Sequence, residues 1–343
     1  MIRSQPTTSI FSIFLSLSVA TIICILLIFV GSSEPWETLG HFFSGPFQST
    51  YAFGNLLDDT SLLMLTGLGA AIAFRAGVFN LGGEGQTYLG AIIASQVSLA
   101  LTTKLGFVGI VPIILAGAAI SACVSGLSGF FRWKWNIDEL LSSFLLSSAL
   151  LPVIDYAIAG PLRDPGGYLL STPRIPEVFR LGRILEPSLL NPGIFLSLAL
   201  VGLLSFTLYY SRFGFELRTT GKNREFSQYG GISVGTYLVA PMAISGALHG
   251  TAGTLQVIGT RYTCVQGATA GLGWNGIAVA LIAENNPLAI VPAAIVFSYL
   301  GAAAEAASVN SDLSIELTAV IQGMVFLLIT AKGLRLKLKR RKN

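Results

Sequence analysis

Long uncharged apolar runs, broken by short polar or glycine-rich segments, dominate the chain. Pro187 to Ser211, Leu105 to Phe131 and Tyr262 to Ala283 each contain no Asp, Glu, Lys or Arg. Each is long enough to cross, as a helix, a hydrocarbon core about 30 Å thick. The roughly ten-residue alternating strands of a membrane barrel are absent from the pattern. The pattern therefore predicts an all-α polytopic membrane protein with about ten transmembrane helices. Their expected positions are near residues 10–31, 57–75, 86–103, 106–130, 138–159, 192–211, 236–257, 271–284, 287–306 and 314–332. Residues 1–343 read as a single transmembrane domain. Arg3 precedes an uncharged run from Gln5 to Ser33 that is too long for a secretory h-region and lacks a small-residue cleavage site. That run is expected to be retained as the first helix.

Composition agrees. The chain is 52% hydrophobic and 11% charged with a mean hydropathy of +0.70, which leaves too few charges for an ordinary aqueous surface. Charge then orients it. With a cytoplasmic N-terminus, 15 of the 21 basic residues fall inside: Arg3, Arg75, Arg132, Lys134, Arg212, Arg218, Lys222, Arg224 and the seven from Lys332 to Lys342. The positive-inside rule thus places both termini in the cytoplasm, and the net charge of +4 reflects topology and contact with lipid headgroups rather than nucleic acid. Cys24, Cys123 and Cys264 sit singly in apolar runs, with neither a disulfide framework nor metal-ligand spacing.

Two connections exceed what a compact bundle needs. The extracytoplasmic loop 160–191 carries five prolines and Gly166-Gly167, which predicts an ordered, turn-rich segment with one short helix near Glu177 to Ile184. The cytoplasmic loop 212–232 is polar and aromatic. Thr220 is expected to cap a short helix over Asn223 to Tyr229 that Gly230 and Gly231 close. This loop reads either as a docking element for a soluble partner or as a solvated connector. Its Thr220-Gly221-Lys222-Asn223 is not a phosphate loop, because Glu216 stands where a glycine is required and Asn223 where a hydroxyl would hold magnesium. The two histidines, His41 and His249, form no nucleophile–base–orienter set, and His249 is expected to satisfy a local helical hydrogen bond.

The chemistry-bearing segment is Phe74 to Gly90, where Asn80, Glu84 and Gln86 sit among closely spaced glycines between apolar stretches. A bilayer tolerates such a break only where the freed peptide groups face protein or water. A second break, Gly271 to Gly276 around Trp274 and Asn275, occupies a comparable place in the other half. Paired Gly-interrupted segments mark an inverted-repeat transport route, whereas close packing of small residues accounts for the glycines alone. Ionisable and amide side chains at membrane depth point to a pathway through Asn80, Glu84, Gln86 and Asn275, with Trp274 or Tyr262 available for stacking. Glu84 has a second reading, as a brace for the broken helix through neighbouring amides.

The segments Phe79 to Gln86, Gly160 to Asp164-Pro165, Gly221-Lys222-Asn223 through Tyr229-Gly230-Gly231-Ile232, Ser245 to Gly253, Gly271 to Leu281, Asn285 to Leu288 and Ile321-Gln322-Gly323 resemble the permease subunits of ABC importers for nucleosides, simple sugars and branched-chain amino acids. The likeness runs from about residue 60 to 332 and is nearest to the larger permease of nucleoside importers. The resemblance implies a non-catalytic subunit of a bacterial inner membrane, paired with a second related permease and resting on two cytoplasmic ATPase domains. Those domains would carry the ATP and magnesium, with no cofactor on this chain. Substrate would arrive from an extracytoplasmic binding protein or lipoprotein. By the same resemblance Gly221, Lys222, Asn223, Arg224, Gln228, Tyr229, Gly230 and Gly231 belong to the ATPase-coupling region. Phe226, Ser227 and Gln228 depart from the family's small residues there. Sugars or branched-chain amino acids stay open as cargo. So does an ion-coupled secondary transporter, for which Glu84, Asp155 and Glu284 are the acidic candidates.

Overall fold

A computed structural model describes residues 25–312 together with Ile22, Val320 and Gly323. Most of the expected span 10–31 and nearly all of 314–332, with the basic tail, lie outside the described residues. The helices are α1 (Pro35–Ser44), α2 (Thr50–Arg75), α3 (Gly83–Ala100), α4 (Ile110–Trp135), α5 (Glu139–Ala159), α6 (Gly193–Tyr210), α7 (Arg212–Lys222), α8 (Arg224–Tyr229), α9 (Val234–Leu255), α10 (Leu272–Ile282) and α11 (Ile290–Asn310). Among the described residues there is no strand, only an isolated antiparallel bridge between Ser171 and Val265.

The chain divides into two compact units, Leu57–Ile295 and the flanking Met1–Leu56 with Val296–Asn343. In the flanking unit, Ile28, Phe42, Ala303, Ala304 and Ala307 form a small core. Asp312 accepts hydrogen bonds from the Ser32 and Ser33 hydroxyls. The larger unit is organised by α9, which packs along α4 and α3 through small residues. A methyl group on Gly253 would run into the Thr87 carbonyl, and one on Gly250 into the Gly117 carbonyl. Such close backbone approach is how helices gain dispersion contact where water cannot drive them together.

Five helical segments among the described residues are long and apolar enough to cross a membrane: Thr50–Arg75, Thr103–Trp135, Glu139–Ala159, Gly193–Tyr210 and Pro287–Asn310. This is fewer than the hydropathy pattern predicts: spans 10–31 and 314–332 lie mostly outside the described residues, and three others fall short in hydropathy or length. Helices α3 and α9 are diluted by Gly, Ser, Thr, Gln and His, which are buried against neighbouring helices. Helix α10 has only 11 residues. At 1.5 Å per residue it rises about 16 Å, roughly half a hydrocarbon core.

Loop 160–191 is ordered by its partners. Thr172 and Ile175 donate backbone hydrogen bonds to Cys264 and Tyr262, and Leu181 donates to Ile258. Within the expected helix near 177–184 the Leu181 and Ile184 amides bond outward, to Ile258 and Leu190, so it is reduced to a single 3-10 turn, Glu177–Phe179.

Candidate functional site

The chain leaves α2 through a tight turn at Gly77, whose φ of +68° a residue with a Cβ adopts only under strain. It then runs to the start of α3, whose free N–H groups have no intrahelical acceptor. Side chains supply them. Asn80 Oδ1 accepts from the Gly82 amide at 2.9 Å, Ser143 Oγ from Leu81 at 3.0 Å, and Ser147 Oγ from Gly85 at 2.8 Å. Ser143 and Ser147 stand one turn apart on α5, so a single helix face caps the break.

Asn80 and Gln86 are buried and bond to each other. Asn80 Nδ2 donates to Gln86 Oε1 at 2.8 Å, and Gln86 Nε2 donates to Asn80 Oδ1 at 3.0 Å. Ser125 Oγ of α4 and Ser245 Oγ of α9 lie 3.2 and 2.9 Å from the same Asn80 Nδ2, whose two hydrogens are shared among the three acceptors. Ser121 of α4 closes the knot by donating to the Gln86 carbonyl at 2.9 Å. These two amides join three helices and are buried from solvent.

Glu84 links the two glycine-rich breaks. Its carboxylate accepts from the Gly271 amide at 2.9 Å and the Gly273 amide at 2.8 Å, the first turn of α10. Glu84 itself lies in the first turn of α3, so the positive ends of two helix dipoles converge on one buried carboxylate. A methyl on Gly273 would collide with the Glu84 amide and the Gly83 carbonyl carbon, which shows how closely the two helix starts approach. His249 Nδ1 lies 2.8 Å from the Ser245 carbonyl, the local bond expected of it. Beside this junction Trp274 is 42% exposed, with its ring centroid 6.2 Å from that of the equally open Phe144, and Asn275 is half-buried. Tyr262 is instead engaged by loop 160–191: its hydroxyl donates to the Leu181 carbonyl and Arg180 covers its ring.

The second cluster is α7–α8. Helix α7 buries Gly214, Leu217 and Thr220 and turns Arg212, Phe215 and Lys222 outward. Thr220 therefore ends one helix rather than capping the next. The cap of α8 is Asn223, whose Oδ1 accepts from the Phe226 amide at 2.9 Å. The reason is that the chain is already helical from Arg212 and breaks only where Asn223 turns extended. Helix α8 presents Phe226 and Tyr229 at 65% and 94% exposure, with Gln228 and Gly230 also exposed.

This cluster is tied to the start of the glycine-rich segment. Arg224 Nη2 donates to the Gly77 carbonyl at 2.8 Å and lies 3.8 Å from Glu139, which Arg132 approaches to 3.3 Å. A methyl on Gly221 would strike the Arg75 carbonyl, so the backbones of residues 221 and 75–77 are in direct contact. Arg212 meets Glu216 at 2.6 Å and the Tyr237 hydroxyl donates to Glu216 at 2.8 Å. The Arg212 guanidinium, and after it the Tyr237 hydroxyl, hold the Glu216 carboxyl below its ordinary range.

Sequence reasoning missed the capping serines, although Ser121/Ser125 and Ser143/Ser147 each show a four-residue polar stripe in an apolar helix. It also missed Asp58, buried in α2 and accepting from Asn191 at 2.7 Å and Thr260 at 2.9 Å. Glu139 and Arg224 are too far apart in sequence to be paired by any local signal.

Several helices long and apolar enough to cross a bilayer, with two helix starts sharing one carboxylate, fit a multi-pass membrane protein. The chain belongs to the family described as "Branched-chain amino acid transport system / permease component", whose profile matches residues 52–330. It is 33% identical over 316 residues to the probable riboflavin import permease protein RfuC of Treponema pallidum (strain Nichols), covering 88% of this chain and 80% of that one. It is 31% identical over 297 residues to the guanosine ABC transporter permease protein NupP of Bacillus subtilis (strain 168), covering 84% and 83%. The nucleoside ABC transporter permease protein NupB of Lactococcus lactis subsp. cremoris (strain MG1363) is 25% identical over 317 residues, covering 90% and 86%. The chain is thus a permease component of an ABC importer, a non-catalytic role.

Proposed function

We propose that the chain lines the translocation pathway of an ATP-driven importer of nucleoside-like solutes in a bacterial inner membrane. About ten spans would place both termini in the cytoplasm. Its partners are a second related permease, two cytoplasmic ATPase domains that carry ATP and magnesium, and an extracytoplasmic binding protein or lipoprotein. The observation that carries this reading is the junction at Glu84, where two interrupted helices start from one carboxylate next to an open aromatic pair. Paired helix breaks near the midplane are where transporters hold cargo.

The relatives narrow the cargo. Guanosine and riboflavin both carry a planar nitrogen heterocycle on a polyhydroxylated five-carbon group, a ribose ring in one and a ribityl chain in the other. Trp274 and Phe144 suit the ring by stacking. Asn80 and Gln86, already satisfied by each other, shape the pathway and do not read the cargo. Helices α7 and α8 receive the ATPase, with Phe226 and Tyr229 as the outward contacts, and Arg224 and Gly221 pass its movement to Gly77.

The test is uptake of labelled guanosine and riboflavin by proteoliposomes holding the complete complex. Uptake is expected only with ATP, and Trp274→Ala is expected to lower it. Uptake driven by an ion gradient without the ATPase subunits overturns the reading.

A further inference from the structure

A cavity of about 450 Å³ opens between the end of α2 and helix α7, lined by Phe74, Arg75, Phe215, Arg218, Thr219, Gly221 and Lys222. Its size falls within the roughly 300–1,000 Å³ of small-molecule sites. Three of its seven lining residues are cations and none is an acid. None of the three forms an ion pair among the described residues. The positive charge is held in place: the Arg75 and Arg218 guanidinium groups lie 5.6 and 5.3 Å from the centre of the same Tyr209 ring. Arg75 is further fixed by donating to the Asn285 carbonyl at 2.8 Å and the Tyr209 hydroxyl at 3.1 Å. Like charges gathered this way repel unless an anion sits between them.

We propose that this cavity binds the phosphate of an anionic phospholipid headgroup. Depth favours a lipid. Arg75 is the last residue of α2 and Tyr209 lies at the end of α6, both segments of membrane-spanning length, so the cavity sits where spans end and headgroups begin. Phe215, 59% exposed, gives an adjoining apolar surface for the acyl chains. Basic pockets between helix ends on the cytoplasmic side are the usual form of such sites. The sidedness rests on the topology proposed above. The site bears on function because α7 is the element proposed to meet the ATPase, so a bound lipid would brace it from the membrane side.

The experiment is native mass spectrometry of the full-length chain, purified with its co-purifying subunits and titrated with phosphatidylglycerol, phosphatidylcholine or inorganic phosphate. Phosphatidylglycerol is expected to be retained in preference to phosphatidylcholine, with millimolar phosphate failing to displace it. Arg218→Gln and Lys222→Gln should each weaken retention about fivefold, and the double variant about 25-fold. Monodisperse elution of each variant shows that it remains folded. Equal retention of both lipids, or an unchanged affinity in the double variant, overturns the proposal. Displacement by phosphate assigns the cavity to a soluble anion instead. Loss of the ATPase subunit from the double variant with lipid retention intact assigns it to an acidic protein surface. Failure of nucleoside uptake with lipid retention preserved would count against the transport reading alone.

Discussion

Replacing Glu84 with glutamine changes one oxygen for an amide at the point where two helices begin. The carboxylate accepts from Gly271 and Gly273, at 2.9 and 2.8 Å. Glutamine keeps one acceptor and turns a donor toward the other N–H. A hydrogen bond to a charged group contributes about 1.5–3 kcal/mol. A buried charge at a helix N-terminus adds up to about 2 kcal/mol. The loss of one bond and the charge therefore costs about 2–4 kcal/mol in the closure of the α10 start. At 1.4 kcal/mol per tenfold, amide exchange over residues 271–275 should accelerate roughly 30- to 700-fold if opening is local. The assay is hydrogen exchange read by mass spectrometry, run beside nucleoside uptake on the assembled complex. Uptake is expected to fall while assembly persists. If uptake is lost with exchange unchanged, the carboxylate acts on the cargo and the bracing argument is refuted. Normal uptake removes it from the mechanism.

Gly273→Ala should lower the thermal midpoint of the complex, because the new methyl meets backbone of Gly83 and Glu84 rather than a side chain that can turn away; the cost is about 3 kcal/mol, checked by fluorescence-detected thermal unfolding. Arg224→Gln removes the bond to the Gly77 carbonyl yet leaves Glu139 neutralised by Arg132, so ATP hydrolysis is expected to continue while cargo moved per ATP falls. An unchanged ratio would refute transmission through that contact. Glu216 is held below its ordinary value of 4.5, so its tether between α7 and Tyr237 is fully present above that value and is lost as pH falls below it. Amide exchange over residues 212–222, corrected for the intrinsic rate, should stay level from pH 7 to about 5 and rise below about 4.5. Tyr237→Phe removes the tether at every pH, so exchange there should already be raised at pH 7 and the rise below about 4.5 should shrink.

The helical class and the two interrupted segments were legible because hydropathy and glycine spacing are local signals. The meeting of those segments was not. Nothing between Glu84 and Gly271 marks them as neighbours, and only the packing of α10 on α3 brings the carboxylate to the amides. The assignment of Asn80 and Gln86 to an open route rested on the cost of exposing amides to lipid. That cost is also met by their pairing with each other and with Ser125 of α4 and Ser245 of α9. Trp274 was readable as an aromatic near a break, while its openness depends on the chain path around α10. In α7–α8 the polar composition revealed a loop-like region, but the cap fell on Asn223 because helix already occupied Thr220.

The geometry between Gly77 and Glu84 constrains how a push on α7–α8 can travel. Gly77 is held by Arg224 and by backbone contact with Gly221, and seven residues later Glu84 is held by α10. Asn80, midway, is bonded to α4 and α9. A segment pinned at both ends and in the middle has no slack to absorb displacement by bending, so the load passes to the helices that hold it. The amide knot ties α3, α4 and α9 together, so they are expected to move as one body, in keeping with the way packed cores shift between discrete arrangements rather than deform. Against α10, the same body is held in the hydrogen-bond network by the two Glu84 bonds and close glycine packing. Two bonds part more readily than a knot joining three helices. Movement received at Gly77 is therefore expected to open or close the Glu84–α10 contact, next to Trp274, and to leave residues 78–82 in their present path.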